Sequence, residues 1–169
     1  MNQVPDLTIF PAKHHITNSE DIFREALRRI QDECTQQCEK LRKEGKNEEA
    51  DRLQQRVAND VVLLKESGSC PGIENYSRHF NLREAGEAPD TLLDYFGISS
   101  RDGDVNDNKW MLMIDESHVT LPQLRAMYAG DRARKKNLVR HGYRLPSALD
   151  NRPLREDEFW ERVPQVRFE

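Results

Sequence analysis

Met111-Leu112-Met113-Ile114-Asp115-Glu116-Ser117-His118 is the stretch from which the fold of this chain is read. Four apolar residues in a row predict a short buried strand, as in parallel sheets whose two faces are both covered. Two carboxylates follow where that strand ends. In open α/β sheets, ligands bind beyond the carboxyl ends of the strands. Asp115 is therefore a candidate to hold Mg²⁺, directly or through water. Glu116 points elsewhere and is placed to orient or deprotonate an attacking water. An apolar run closed by acids also occurs at ordinary strand ends, and these residues alone leave that alternative open.

The flanking residues extend the pattern. Asp115 to Gln123 reads DESHVTLPQ, and this resembles the Walker B element in the form of helicase motif II, with a His after the Asp-Glu pair. Gly72-Ile73-Glu74-Asn75-Tyr76-Ser77-Arg78 precedes it; MYAGDRARK (127–135) and RLPSALDNRPL (144–154) follow. In this order the motifs resemble the UvrB family of bacterial excinuclease ABC, from Val4-Pro5 to Phe168. The resemblance implies an α/β fold: a partial RecA-like helicase (P-loop NTPase) motor domain with an inserted αα-hairpin. It implies ATP and Mg²⁺ as cofactors, with Asp115 on Mg²⁺, Glu116 activating water and His118 coupling hydrolysis to movement. It also implies damaged DNA, UvrA and UvrC as partners, in a DNA-dependent ATPase of nucleotide excision repair. Carried over by position, Arg56, Glu74 and Arg144 face DNA, and Tyr143 could stack beside Arg144.

The same resemblance divides the chain. Residues 1–17 correspond to the exit strand from the UvrA-interacting domain, and 18–97 to the helical part of the helicase domain. Residues 98–109 form a loop insertion, and 110–169 the motif II strand with its following helices. The last residues resemble the strand leading into motif III, so the chain reads as an internal fragment. No GxxxxGK[ST] phosphate loop occurs in the sequence. The chain alone is therefore expected to be inactive, and marginally stable with unpaired sheet edges. The alternative is a non-catalytic DNA- or partner-binding module, like the UvrB-like module of transcription-repair coupling factor. The intact Asp115-Glu116 pair argues against that alternative.

Composition sets outer bounds. The 169 residues are one third charged, with a net charge of −4 and a mean hydropathy of −0.88. Nothing approaches the ~20 apolar residues of a membrane span, so no membrane association is expected. The acidic balance gives no bulk case for nucleic-acid binding. Any such contact must come from local clusters such as Arg132, Arg134, Lys135, Lys136 and Arg140. Cys34, Cys38 and Cys70 form no metal pattern. Packing explains the first two, four residues apart on an apolar stripe, and an odd count suits a reducing cytoplasm.

Along the chain, Pro5 and Pro11 predict an extended start, in which His14 and His15 lack a third metal ligand. Thr17-Asn18-Ser19-Glu20 offers a helix cap. Ile22, Phe23, Ala26, Leu27, Ile30, Cys34, Cys38 and Leu41 then trace one helical face. A break at 44–47 leads to a second stripe through Ala50, Leu53, Val57, Val61 and Leu64, closed by Gly68. These predict an αα-hairpin packed on a sheet domain; the stripes are too short for a zipper-type adapter. Tyr76, Arg78 and His79 invite stacking and phosphate contact, against core filling and solvation. Residues 81–90 read as a loop, and Thr91 to Phe96 as a short apolar piece beside the motif II strand. Asp102, Asp104, Asn106 and Asn108 briefly resemble a calcium loop without its Gly and terminal Glu, and read as a surface insertion. A helical turn at 121–128, a separate basic helix at 131–141 closed by Gly142, and a last helix at 156–163 anchored by Phe159 and Trp160 complete the expectation.

Overall fold

Two apolar surfaces organise the chain, and each closes over its own core. In the computed structural model, residues 19–96 and 110–168 are described. The expectations for 1–17, including His14 and His15, and for the 98–109 insertion lie outside the described residues.

The first surface belongs to the helical hairpin. Helix α1 spans Glu20–Lys43, with Ser19 Oγ accepting from the Ile22 amide at 3.4 Å and Glu20 and Asp21 in the first turn. Side-chain capping and acids near the positive helix end both stabilise this start. Gly45, at φ +78°, makes the reversal into α2, Asn47–Ser67. Gly68, at φ +69°, closes α2 through its amide to the Leu64 carbonyl at 3.0 Å. The predicted stripes meet as foreseen: Ala26, Leu27, Ile30, Cys34, Cys38 and Leu41 bury against Ala50, Leu53, Val57, Val61 and Leu64. A 3-10 turn at Ile73–Tyr76 and the short helix α3, Ser77–Phe80, complete this core, with Phe80 stacked on Phe23 at 6.2 Å.

The second core lies under the strand that leads into Asp115. Helix α4 (Leu92–Phe96) precedes β1 (Leu112–Ile114), and α5 spans Ser117–Arg140. A 3-10 turn at Pro146–Asp150, α6 (Glu156–Arg162) and β2 (Val166–Phe168) follow. Strands β1 and β2 pair in parallel, Leu112 opposite Val166 and Ile114 opposite Phe168. Ile114, Leu154 and Phe159 are buried, with Leu93, Leu112, Leu121, Leu124, Trp160 and Val166 packed around them. A parallel pair needs such a helical crossover to return the chain.

Two expectations change, and a third is met in part. The described residues are mostly helical with one parallel two-stranded sheet, a smaller share of strand than the α/β motor domain that the resemblance implies. Strand β1 is covered on one face only: Ile114 is buried, whereas Met113 remains 66% exposed. Period-two alternation sends Met113 to the opposite face, and burying it would take a second layer. The two helical pieces expected at 121–128 and 131–141 are one continuous helix, α5, 24 residues long. Gly130 costs a helix interior only about 1 kcal/mol. Pro122 falls in the second turn, where Leu121 and Leu124 anchor the helix to the second core. Gly142, at φ +67°, is where it ends, as read from the sequence.

Candidate functional site

The residues singled out by sequence gather at the two ends of α5. At its start, β1 delivers Asp115 and Glu116 into a tight turn. Glu116 sits at φ +47°, in the left-handed region, and its carbonyl accepts from the amides of Val119 and Thr120 at 2.9 and 3.0 Å. For a non-glycine residue this conformation costs on the order of 1–2 kcal/mol. Asp115 Oδ1 accepts from the Glu116 amide at 2.8 Å, and Thr120 Oγ1 donates to the Asp115 carbonyl at 3.2 Å. Both carboxylates are solvent-exposed. His118 Nδ1 stands 3.4 Å from Glu116 Oε2. Asp115, Glu116 and His118 are thus on one turn at the carboxyl end of β1.

This turn suits a hard cation only in part. Among the described residues, no three His, Cys, Asp or Glu side chains are grouped to hold a metal. Asp115 would be a single protein ligand. Mg²⁺ accepts that arrangement because it retains waters and takes the rest of its shell from phosphates.

At the other end of α5, the chain passes through Gly142 and Tyr143 to Arg144. Arg144 is half-buried and donates to the Tyr143 carbonyl at 2.9 Å. A second guanidinium nitrogen lies near Gly72, within 3.6 Å of where a Cβ on that glycine would stand. Glu74 Oε1 closes the same corner, accepting from Asn75 Nδ2 at 3.2 Å. Burial lowers the proton affinity of Arg144, and the like charge of Arg56 lowers it further against the opposing pull of Tyr76, Asp60 and Glu74. Arg56, Glu74 and Arg144, far apart in sequence, share one neighbourhood. Arg56 Nε lies 3.6 Å from Asp60 Oδ2, at the edge of a shallow groove of about 400 Å³ lined also by Arg52, Gln55, Asn59 and Leu63.

Tyr143 precedes Arg144 directly and has an intramolecular partner of its own. Its half-exposed ring lies 4.5 Å from the Arg52 guanidinium, which also donates to the His141 carbonyl at 3.0 Å. A cation over an aromatic face is an attractive pairing. The sequence reading missed Arg52 and Asp60. Their signal was available, since residues 52, 56 and 60 recur every four residues and so share one face of α2.

Tyr76 is core: it is buried, and its hydroxyl donates to Asp60 Oδ2 at 2.7 Å. Arg78 and His79 are engaged by carboxylates of the chain itself. Arg78 reaches Glu33 at 2.9 Å and Asp150 at 2.6 Å, while His79 Nε2 lies 2.8 Å from Glu33 Oε2. Glu33 also accepts from the Ser147 amide at 2.9 Å. Burial raises the Glu33 carboxyl, but these bonds and the Arg78 charge prevail and hold it below the usual range. A largely buried charge must be paired, and Arg78 already commits both terminal guanidinium nitrogens to carboxylates. The basic face of α5 is likewise reduced: Lys135 is buried, bound to Asp131 and the Asn151 carbonyl, and Arg134 also pairs with Asp131.

Comparison with known proteins adds a second line of evidence. Residues 21–82 match the family model of the UvrB third helical domain. Along 168 residues, 99% of its length, the chain is 50% identical to UvrABC system protein B of Synechococcus sp.. It is 52% identical over 162 residues to the protein of that name from Fervidobacterium nodosum, and 49% over 168 residues to that from Thermotoga maritima. The chain spans about a quarter of these relatives, 23%, 23% and 24% of their respective lengths.

Proposed function

This chain belongs to the UvrB family along the stretch it shares with those relatives, and from that premise we propose that it forms the motif II segment of a damage-verifying subunit of bacterial nucleotide excision repair. The whole protein is a DNA-dependent ATPase of the cytoplasm, working on damaged DNA with UvrA and UvrC. In it, β1 and β2 belong to the sheet of a RecA-like α/β motor domain, and a further layer of that domain covers the open Met113 face.

One observation carries the reading. Asp115 and Glu116 leave the carboxyl end of a parallel strand and enter a continuous helix whose far end delivers Arg144. That helix is about 36 Å long at 1.5 Å per residue. A rigid rod thus joins the turn assigned to ATP with the corner assigned to DNA.

The roles follow from chemistry. Asp115 would hold the Mg²⁺ that accompanies ATP, which would supply charge neutralisation at the phosphates. Glu116 orients the attacking water and takes its proton as oxygen bonds to the γ-phosphorus and ADP departs. His118, within reach of Glu116, relays the state of that carboxylate into the start of α5. Arg56 and Arg144 meet phosphates, Glu74 orients Arg144 and its neighbours, and Tyr143 offers a ring face to a base. The chain by itself carries no phosphate loop, and this supports an inactive isolated segment.

The test is ATP turnover of the whole protein, with and without DNA, beside Asp115→Asn and Glu116→Gln variants. DNA-stimulated hydrolysis that falls by about 10² or more in each variant is the expected outcome. Unchanged turnover in the variants would remove the assignment, and inactivity of every protein would favour the non-catalytic module.

A further inference from the structure

The end of α5 is closed tightly, and a cation from another helix holds it. The Tyr143 amide donates to the Leu138 carbonyl at 2.8 Å and the Gly142 amide to the Val139 carbonyl at 3.2 Å. With Gly142 left-handed at φ +67°, these two bonds form the double closure typical of a helix that ends on glycine. They fix the backbone of Tyr143 and leave the His141 carbonyl to be met from elsewhere. Arg52, on α2, meets it at 3.0 Å, where the negative end of the α5 dipole favours a cation. The same guanidinium lies over the Tyr143 ring, 4.5 Å from its centroid. One ring face is therefore taken, and the 46% of Tyr143 that stays exposed belongs to the rest of the side chain. Arg52 also lines the groove that Arg56 lines, with the exposed Gln55 and Asn59 beside them.

We propose that Arg52 is a positioning residue for nucleic-acid binding: it backs the Tyr143 ring so that the ring's free face stacks on one unpaired base. This role rests on the reading that Tyr143 meets DNA, and it adds the form that DNA takes. A base inside a duplex has both faces covered by its neighbours, so the ring takes one from an unpaired or opened stretch. A tyrosine free to change rotamer would lose that freedom on binding, which opposes stacking. Arg52 removes the freedom before the base arrives. Phosphates are left to Arg56 and Arg144.

The experiment uses the whole protein with single-stranded DNA carrying iodouracil, which cross-links under near-ultraviolet light to an aromatic ring stacked on it. Peptide mass spectrometry locates the cross-link, saturating protein removes differences in affinity, and circular dichroism checks that each variant is folded. Cross-linking at Tyr143 is expected, falling about fivefold or more in Arg52→Ala. Arg52→Lys, which restores the cation, should recover most of the yield. The salt slope of DNA binding should be the same for Arg52→Ala as for the unchanged protein. A slope lower by about 0.7 would make Arg52 a phosphate contact on a single strand and overturn the positioning role. A loss in Arg52→Lys as large as in Arg52→Ala would refute the part played by the cation. Full cross-linking in Arg52→Ala would overturn the proposal while leaving Tyr143 on the DNA path. No cross-link at Tyr143 in the unchanged protein would remove both.

Discussion

Arg152 and Glu158 face each other as a buried two-pronged ion pair, Nη1 to Oε2 at 2.6 Å and Nη2 to Oε1 at 2.8 Å. The same carboxylate accepts from the Arg155 amide at 2.8 Å, so it fixes the start of α6 while anchoring the end of the RLPSALDNRPL stretch. Arg152 also reaches the Gly86 carbonyl at 3.1 Å and the Tyr128 ring at 5.2 Å. One guanidinium thereby ties a loop, α5 and α6 around the second core.

Glu158→Gln leaves that guanidinium buried without a countercharge. Removing one partner of a buried pair costs far more than the pair contributes net. The expected loss is about 3 kcal/mol in urea unfolding, with the slope of the transition unchanged. A loss below 1 kcal/mol would mean that water reaches the pair.

The pair also sets an acid limit. The Arg152 hydrogen bonds bring Glu158 from 4.5 down to about 2. A depressed carboxylate contributes stability that is present above its unfolded value and lost as pH falls through its folded one. Stability should therefore drop between about pH 4.5 and 2, and Glu158→Gln should flatten that part of the profile. Thermal unfolding followed across this range decides it.

Gly142→Ala should disrupt the joint between α5 and α2. The residue has φ +67°, and a Cβ there would come within 2.1 Å of the Glu49 carbonyl oxygen, a backbone atom that cannot turn aside. Loss of about 3 kcal/mol or more is expected. Gly45→Ala, at φ +78° with open space around it, should cost only about 1 kcal/mol. Comparable denaturation midpoints for the two variants would contradict the close approach.

Arg144→Ala in the whole protein should weaken DNA binding about tenfold and lower the salt slope by about 0.9, the signature of one lost phosphate contact. Arg78→Ala should instead destabilise the fold, because Arg78 is engaged by Glu33 and Asp150. Fluorescence anisotropy over a salt series, beside unfolding curves, separates the two effects. An Arg144 variant with an unaltered slope would take this residue off the DNA path.

What the sequence by itself determined is the local order: two stripes at helical spacing, a cap at Ser19, glycine stops at Gly68 and Gly142, and an apolar run ending in Asp115-Glu116. These are readable because periodicity and backbone conformation act within a few residues. It also brought out Asp115, Glu116 and His118 as one unit, since a turn keeps neighbours together. Tertiary structure decided which charges are free to act. Arg78, His79 and Lys135 read like surface cations in the sequence, yet each is committed to a half-buried carboxylate brought from another turn or element. Tertiary structure likewise merged two expected helical pieces into α5, because packing of Leu121 and Leu124 outweighs the small penalty of one glycine. It laid Arg52 over the Tyr143 ring, and set Cys34 and Cys38 along an open cleft. Partners such as Glu33 with Arg78, 45 residues apart, leave no periodic trace, because burial and pairing are properties of the folded surface rather than of chain spacing.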